Sequence, residues 1–206
     1  MSKIIAAKKK IARRLGVDLH GEHRSSRKKK PYLPGMHGPK LIRRASVYSS
    51  QLKAKQILRS IYALTEKSFR IIVLRSFKTK GNTVKELVSM LESRLDSIVY
   101  RAGFAISIYA AKQLVSHGHV EVNGKRVNIS SFRAKPGDVI SLRGTARRME
   151  VVTSSLSSAA SVRTTPSYIE VDNAGFIVKY LRKPEVEEVP YDCEVNFPFI
   201  VEYYSR

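Results

Sequence analysis

The sequence predicts an α+β chain, with amphipathic helices in its first half followed by a basic helical pair, a hairpin and further short strands. Three observations predict it. Apolar residues from Leu52 to Leu95 recur at the three- and four-residue intervals of one helix face. Asn123-Gly124 stands between runs that alternate apolar and polar residues, the strongest two-residue hairpin signal in the chain. Strand-like runs then follow at 139–142, 168–171 and 176–180, and Pro184, Pro190 and Pro198 argue against a long terminal helix.

Taken in order, residues 1–45 read as a basic extension. The run Arg24 to Lys30 leads into Pro31, Pro34, Gly35, Gly38 and Pro39, which break helices. Near Tyr48 a helix begins, with Leu52, Leu58, Ile61 and Tyr62 on one side and Lys53, Lys55 and Arg59 on the other. Phe69, Ile72, Val73 and Phe77 mark the next helix. Thr83 with Glu86 has the form of a capping box opening a third, whose stripe is Val84, Leu87, Val88, Leu91 and Leu95. That pattern continues through Asp96 to Arg101 and ends at Gly103. Ser107 caps a following helix that closes at His117-Gly118. Thr153 to Ser167 reads as a weak helix or a surface loop, and Phe199 to Tyr204 as a buried ending.

The composition of these 206 residues narrows the partner. A net charge of +21 repels itself unless a polyanion neutralises it, so nucleic acid is expected. Residues 1–50 hold 14 Lys and Arg against two acids, whereas residues 146–206 hold 7 against 9. Phosphates are therefore expected along the front of the chain, and the acidic tail is expected to fold back on basic protein or to meet another basic protein. The one cysteine, Cys193, forms no internal disulfide and points to a reducing compartment. No apolar run has the length of a membrane span, so no membrane partner is expected. The basic amino end, with Ile4, Ile11 and Leu15 on one face, leaves organelle targeting as the minor alternative to a cytoplasmic location.

Candidate binding residues follow from charge and spacing. Arg94 and Arg101 lie seven residues apart, two helical turns, and would project from one side. With Lys112 on the next helix and Lys125 and Arg126 after the hairpin turn, they would make a basic surface. Gln113, His117 and Asn123 add neutral groups for sugar and base edges. Arg13, Arg14, Arg27, Lys28, Lys29, Lys30, His37, Arg43, Arg44, Lys53, Lys55 and Arg59 extend the set toward the amino end. The alternative for each charge is an ordinary solvated face. Asp96, a carboxylate amid cations, is expected to orient an arginine or cap backbone donors. His20 and His23 lack further ligands, Cys193 has no base beside it, and no phosphate-cradling Gly-Lys-Ser/Thr loop occurs. Neither a metal, another cofactor nor catalysis is expected.

Several of these segments carry a resemblance. Arg13-Arg14-Leu15-Gly16, Pro34-Gly35-Met36-His37-Gly38, Gln51 to Gln56, Arg94-Leu95-Asp96 with Val99-Tyr100-Arg101, Gln113 to His119, Val122 to Ile129 and the ending Val201 to Arg206 resemble, in order, the bacterial-type small-subunit ribosomal protein S-four family. The resemblance implies a mainly helical domain with an inserted RNA-binding domain of two packed helices and a small, mostly antiparallel sheet. It sets a basic extension at 1–45, a helical domain at 46–91 joined by a returning tail 184–206, and the RNA-binding domain at 92–183. It further implies binding to a folded junction in the 5′ domain of small-subunit ribosomal RNA, and nucleation of small-subunit assembly. Implied neighbours are ribosomal proteins S-five and S-three, and messenger RNA near its entrance, with a contribution to decoding accuracy. The cysteines with which many relatives hold a metal or cluster are not found in this chain, Ile108 stands where many have Arg, and Met36 where Gln is common. An RNA-modifying enzyme using this domain would need a further catalytic domain, and a stand-alone regulator would be recovered outside ribosomes.

Overall fold

A computed structural model describes residues 8–17, 30–40, 46–162 and 164–205. The chain forms two compact units, residues 1–84 with 191–206 and residues 85–190. The boundaries expected from the sequence fell at 91/92 and 183/184. The architecture is α+β, as the sequence predicts.

The first unit is helical among its described residues. It holds α1 (Lys8–Leu15), α2 (Val47–Ile61), α3 (Glu66–Lys78) and α9 (Phe197–Ser205), with a short 3-10 turn at Gly38–Lys40. Ser46 and Thr65 cap α2 and α3 through their hydroxyls, which accept from the backbone N–H of Ser49 and Ser68. Leu15 of α1 and Ile57 of α2 form a small core joined by Ile11, Val17, Ile61, Cys193 and Val195. Burial raises the Cys193 thiol, helped by Asp192, which keeps it an inert packing group. The tail returns as a helix although Pro198 lies in it, because a proline in the first turn removes an N–H that has no intrahelical partner. Asn196 Oδ1 accepts from the Phe199 N–H at 3.2 Å, and Ile200 is fully buried.

In the second unit α4 (Thr83–Glu92, entering from the first unit), α5 (Leu95–Arg101) and α6 (Ile108–Ser116) precede a five-stranded sheet. Its strands are β1 (Val120–Val122), β2 (Lys125–Val127), β3 (Val139–Leu142), β4 (Ile169–Asp172) and β5 (Ile177–Tyr180). The order is β2-β1-β3-β5-β4, antiparallel at every pairing. Asn123 and Gly124 take positive φ of 50° and 75°, as a two-residue hairpin turn of this hand requires. Two helices, α7 (Gly144–Arg147) and α8 (Glu150–Val162), connect β3 to β4, so the Ser/Thr-rich stretch is helical through Val162. Leu91, Leu95, Ile98, Phe104, Val115, Ile140, Leu142 and Val178 are buried at or near zero exposure and make the core.

Two expectations are corrected here. Asn82, not a Thr83–Glu86 box, closes the start of α4: its Oδ1 accepts from the Val84 N–H at 2.9 Å while Thr83 is already helical. The long helix through Arg101 is broken at Ser93-Arg94, where Arg94 is extended (φ −69°, ψ 141°) and bridges Arg133. Backbone pairing with a distant loop breaks it: Ala134 N–H donates to Ser93 O at 2.8 Å and Leu95 N–H to Phe132 O at 2.9 Å. Helical propensity within this segment yields to those tertiary bonds.

Candidate RNA interface

The break before α5 decides what its arginines do. Because Arg94 sits outside the helix, it does not share a helical face with Arg101. Its guanidinium grips Asp96 through two bonds, Nε to Oδ1 at 2.9 Å and Nη2 to Oδ2 at 2.7 Å. Arg94 is 6% exposed and Asp96 0%. Asp96 Oδ1 also accepts from the Ser97 N–H at 3.0 Å, so the carboxylate both orients an arginine and satisfies a backbone donor in the first turn of α5, as the sequence suggested. Lys112 Nζ approaches Asp96 Oδ2 at 3.7 Å. Burial lowers the Lys112 ammonium to about 8; Asp96 opposes that shift and Arg94 adds to it.

Arg101 is committed in the same way. Its Nη2 meets Glu92 Oε1 at 2.9 Å and its Nη1 donates to Pro190 O at 2.8 Å. Glu92, fully buried, also accepts from Tyr168 Oη at 2.9 Å. The expected outward pair Arg94–Arg101 is therefore corrected: both arginines are turned toward buried carboxylates. A buried carboxylate without its partner costs several kcal/mol, which holds these side chains inward.

The hairpin is different. Lys125 and Arg126 are exposed on β2, opposite Val122 and Glu121 of β1. The Arg126 guanidinium lies over Gly118, where any Cβ would fall 2.1 Å from its Nε, and its Nη2 donates to His117 O at 3.3 Å. Gly118, at φ +73°, thus lets α6 end tightly and leaves room for the arginine. Gln113 and His117 are exposed on the last turn of α6, and the His117 ring lies edge-on to His119 at 6.1 Å. The α6 terminus and β2 thus bring Arg126 beside His117, with Gln113 one turn earlier on the same helix, while Lys125, its neighbour in the strand, points to the opposite face of the sheet. Asn123 is exposed, but its side chain is spent on the fold, donating to Asp138 Oδ1 and accepting from the Val139 N–H, each at 2.9 Å.

In the first unit Arg14, Lys30, His37 and Lys53 are exposed. Arg13 instead braces the loop after Lys30, donating to Tyr32 O and Leu33 O at 3.1 Å and lying over the Tyr32 ring. Lys55, expected on the outer face of α2, is 6% exposed: it meets Glu66 at 2.5 Å and lies 4.9 Å over the Tyr203 ring. Arg59 reaches the same carboxylate at 3.1 Å. Burial pushes the Glu66 carboxyl up, but Lys55, Tyr204 and Arg59 outweigh it, and the group is held below its usual range. Arg27, Lys28, Lys29, Arg43 and Arg44 lie outside the described residues, as do His20 and His23.

Sequence reasoning passed over exposed Lys135, Arg143 and Arg148 around the sheet. Lys135 opens the Pro136-Gly137 turn before β3, and that turn was the available signal. Among the described residues no group of three His, Cys, Asp or Glu side chains could hold a metal, and no helix is long and apolar enough to cross a membrane.

Comparison with known proteins finds matches along the whole chain. Residues 3–92 match the model for the ribosomal protein S4/S9 N-terminal domain, and residues 93–140 match that for the S4 domain. Small ribosomal subunit protein uS4 of Phenylobacterium zucineum is 45% identical over 206 residues, covering all of both chains. The proteins of that name from Caulobacter sp. and Rickettsia felis are 46% and 43% identical, again over the full length of both chains.

Proposed function

The chain belongs to the family of small ribosomal subunit protein uS4, and from that premise we propose how it holds RNA. The family is one of structural ribosomal proteins, not enzymes, and its S4 domain binds ribosomal RNA. In our reading Lys125 and Arg126 anchor phosphates, while Gln113 and His117 meet sugar and base edges of a folded junction in the 5′ domain of small-subunit ribosomal RNA. The observation that carries it is the exposed Arg126 guanidinium lying over Gly118, with its Nη2 donating to His117 O, where its planar fork can meet phosphate. Arg14, Lys30, His37 and Lys53 supply a second set of contacts. Arg94, Arg101, Lys55, Arg59, Arg13 and Asn123 hold the surfaces in shape.

The finer role follows from the same premise. Binding this junction early would nucleate small-subunit assembly, with the extension at 1–45, the helical domain 46–91 with 184–206, and the RNA-binding domain 92–183 each taking part. Ribosomal proteins S-five and S-three and messenger RNA at its entrance would be the neighbours, and decoding accuracy the consequence, in a bacterial-type cytoplasmic ribosome. The deciding experiment measures affinity for 5′-domain RNA against an equally long structured control across a salt series. Preference retained at about 0.3 M salt, where phosphate attraction is much weakened, supports shape-specific binding. Equal affinities that collapse together would reduce the chain to a general polyanion binder.

A further inference from the structure

We propose that Asn123-Gly124 is a deamidation site, closed while the hairpin is folded, whose product no longer fits the turn. Asn123 is the only asparagine in the sequence followed by glycine, the neighbour that least hinders attack on the side-chain amide. Both residues are exposed, and apart from its chain neighbours nothing lies within 4 Å of a Cβ built at Gly124, so water reaches the turn. In the reaction the Gly124 amide nitrogen gives up its proton to water and bonds to Asn123 Cγ. The bond from Cγ to Nδ2 breaks, ammonia leaves, and a cyclic succinimide remains. Water then opens that ring at either carbonyl, giving aspartate or, through the main-chain carbonyl, isoaspartate.

The folded turn holds that amide at both of its polar atoms. Asn123 Nδ2 donates to Asp138 Oδ1 and its Oδ1 accepts from the Val139 N–H, each at 2.9 Å. The Asn123 backbone N–H donates to Val139 O at 2.8 Å, so side chain and main chain are both fixed to the start of β3. An amide pinned this way cannot rotate freely to bring Cγ over the Gly124 nitrogen, and conversion follows local opening of the hairpin. The product fits poorly. An aspartate at 123 could still accept from Val139, but its other oxygen would stand where Nδ2 now donates, against Asp138 Oδ1. Asp138 is itself held, since its Oδ2 accepts from the Lys135 N–H at 2.7 Å. Two carboxylates facing each other there repel. Isoaspartate instead adds a methylene to the main chain of a two-residue turn, whose length sets the pairing of Val122 with Lys125. β2 begins at Lys125, so a turn that cannot close displaces Lys125 and Arg126, and on the RNA-binding reading above affinity falls with it.

The test needs no RNA, so a failure of the RNA-binding reading leaves it standing. The full chain is incubated at neutral pH, native and in guanidinium chloride, and the peptide holding residue 123 is followed by mass and by isoaspartate content. The denatured chain should convert first at Asn123, and the native chain at least about tenfold more slowly. Asp138→Ala, which removes the acceptor from Nδ2, should convert at a rate between the two. Asn123→Asp should melt below the wild type. Asn123→Asp combined with Asp138→Asn sets one amide donor against one carboxylate again, and should regain most of that loss. Should Asp138→Ala fail to fold, this exchanged pair and the denaturant comparison still decide. Equal conversion of native and denatured chains overturns the closure by the hairpin, and conversion that favours another asparagine overturns the site. A double variant that melts no higher than Asn123→Asp, or an Asn123→Asp chain that melts with the wild type, overturns the misfit of the product.

Discussion

In the helical pair the cations point inward, whereas on the hairpin they point out. Arg94 and Arg101 each end on a fully buried carboxylate, Asp96 and Glu92, while Lys125 and Arg126 stay exposed on a strand. The same residue types thus do two jobs. A desolvated carboxylate captures the nearest guanidinium because neither charge tolerates burial alone. Where no such carboxylate lies beneath, the cation remains available to phosphate. The first unit repeats the contrast: Glu66 takes Lys55 and Arg59, while Lys53 is left exposed. The inward set therefore governs shape and stability, and the outward set governs affinity and its salt dependence.

The largest test of that division is Asp96→Ala. It leaves Arg94 and Lys112 buried without their carboxylate and removes the cap on the Ser97 N–H. Denaturant unfolding should show a loss of about 3–5 kcal/mol. An unfolding midpoint close to that of the wild type would mean the network is incidental. Asn123→Ala comes next, at about 1–2 kcal/mol, because it strands the Val139 N–H and puts alanine at φ 50°. RNA affinity should follow only as far as the hairpin loosens. The double change Lys125→Ala with Arg126→Ala should reverse the pattern. Stability should move by less than about 1 kcal/mol, while affinity for 5′-domain RNA falls about tenfold and the salt dependence becomes shallower by one to two contacts. Equal salt slopes for variant and wild type would remove the hairpin from the interface.

Much of the fold was legible because its signals are local. The Asn123-Gly124 turn, the Ser107 cap and the closing Gly118 each specify a backbone conformation by themselves, and each stands where the sequence placed it. The break at Arg94 was not legible, since it depends on carbonyl and amide groups of residues 130–134, more than thirty positions downstream. That one miss propagated into the site: a continuous helix would have put Arg94 and Arg101 on one outer face. Asp96 held the missing information, as an acid among cations that needed a nearby guanidinium. Lys55 went astray similarly, because Glu66 and the Tyr203 ring reach it from α3 and α9. Hydrophobic spacing finds which face is buried, but not which charged residue is drawn under it.

Lys112 stands between the two classes and gives the finest test. Its side chain is 21% exposed, and its ammonium is 3.7 Å from Asp96. Folding lowers its pKa from 10.5 to about 8, so burial outweighs the attraction of the carboxylate. Between those values the unfolded chain binds more protons than the folded one, and stability contributed by this group rises with pH. Below pH 8 both states are protonated and the unfavourable contribution is fully present. Compared with Lys112→Met, which cancels other titrating groups, the wild type should gain about 1 kcal/mol between pH 7 and pH 9. A wild type that loses ground over that interval would show Asp96 holding the lysine charged, and would move Lys112 into the inward set with Arg94. A gain marks it instead as a cation poorly served by the fold, whose charge phosphate would stabilise; RNA binding should then shrink the pH dependence by raising the lysine back toward its ordinary value.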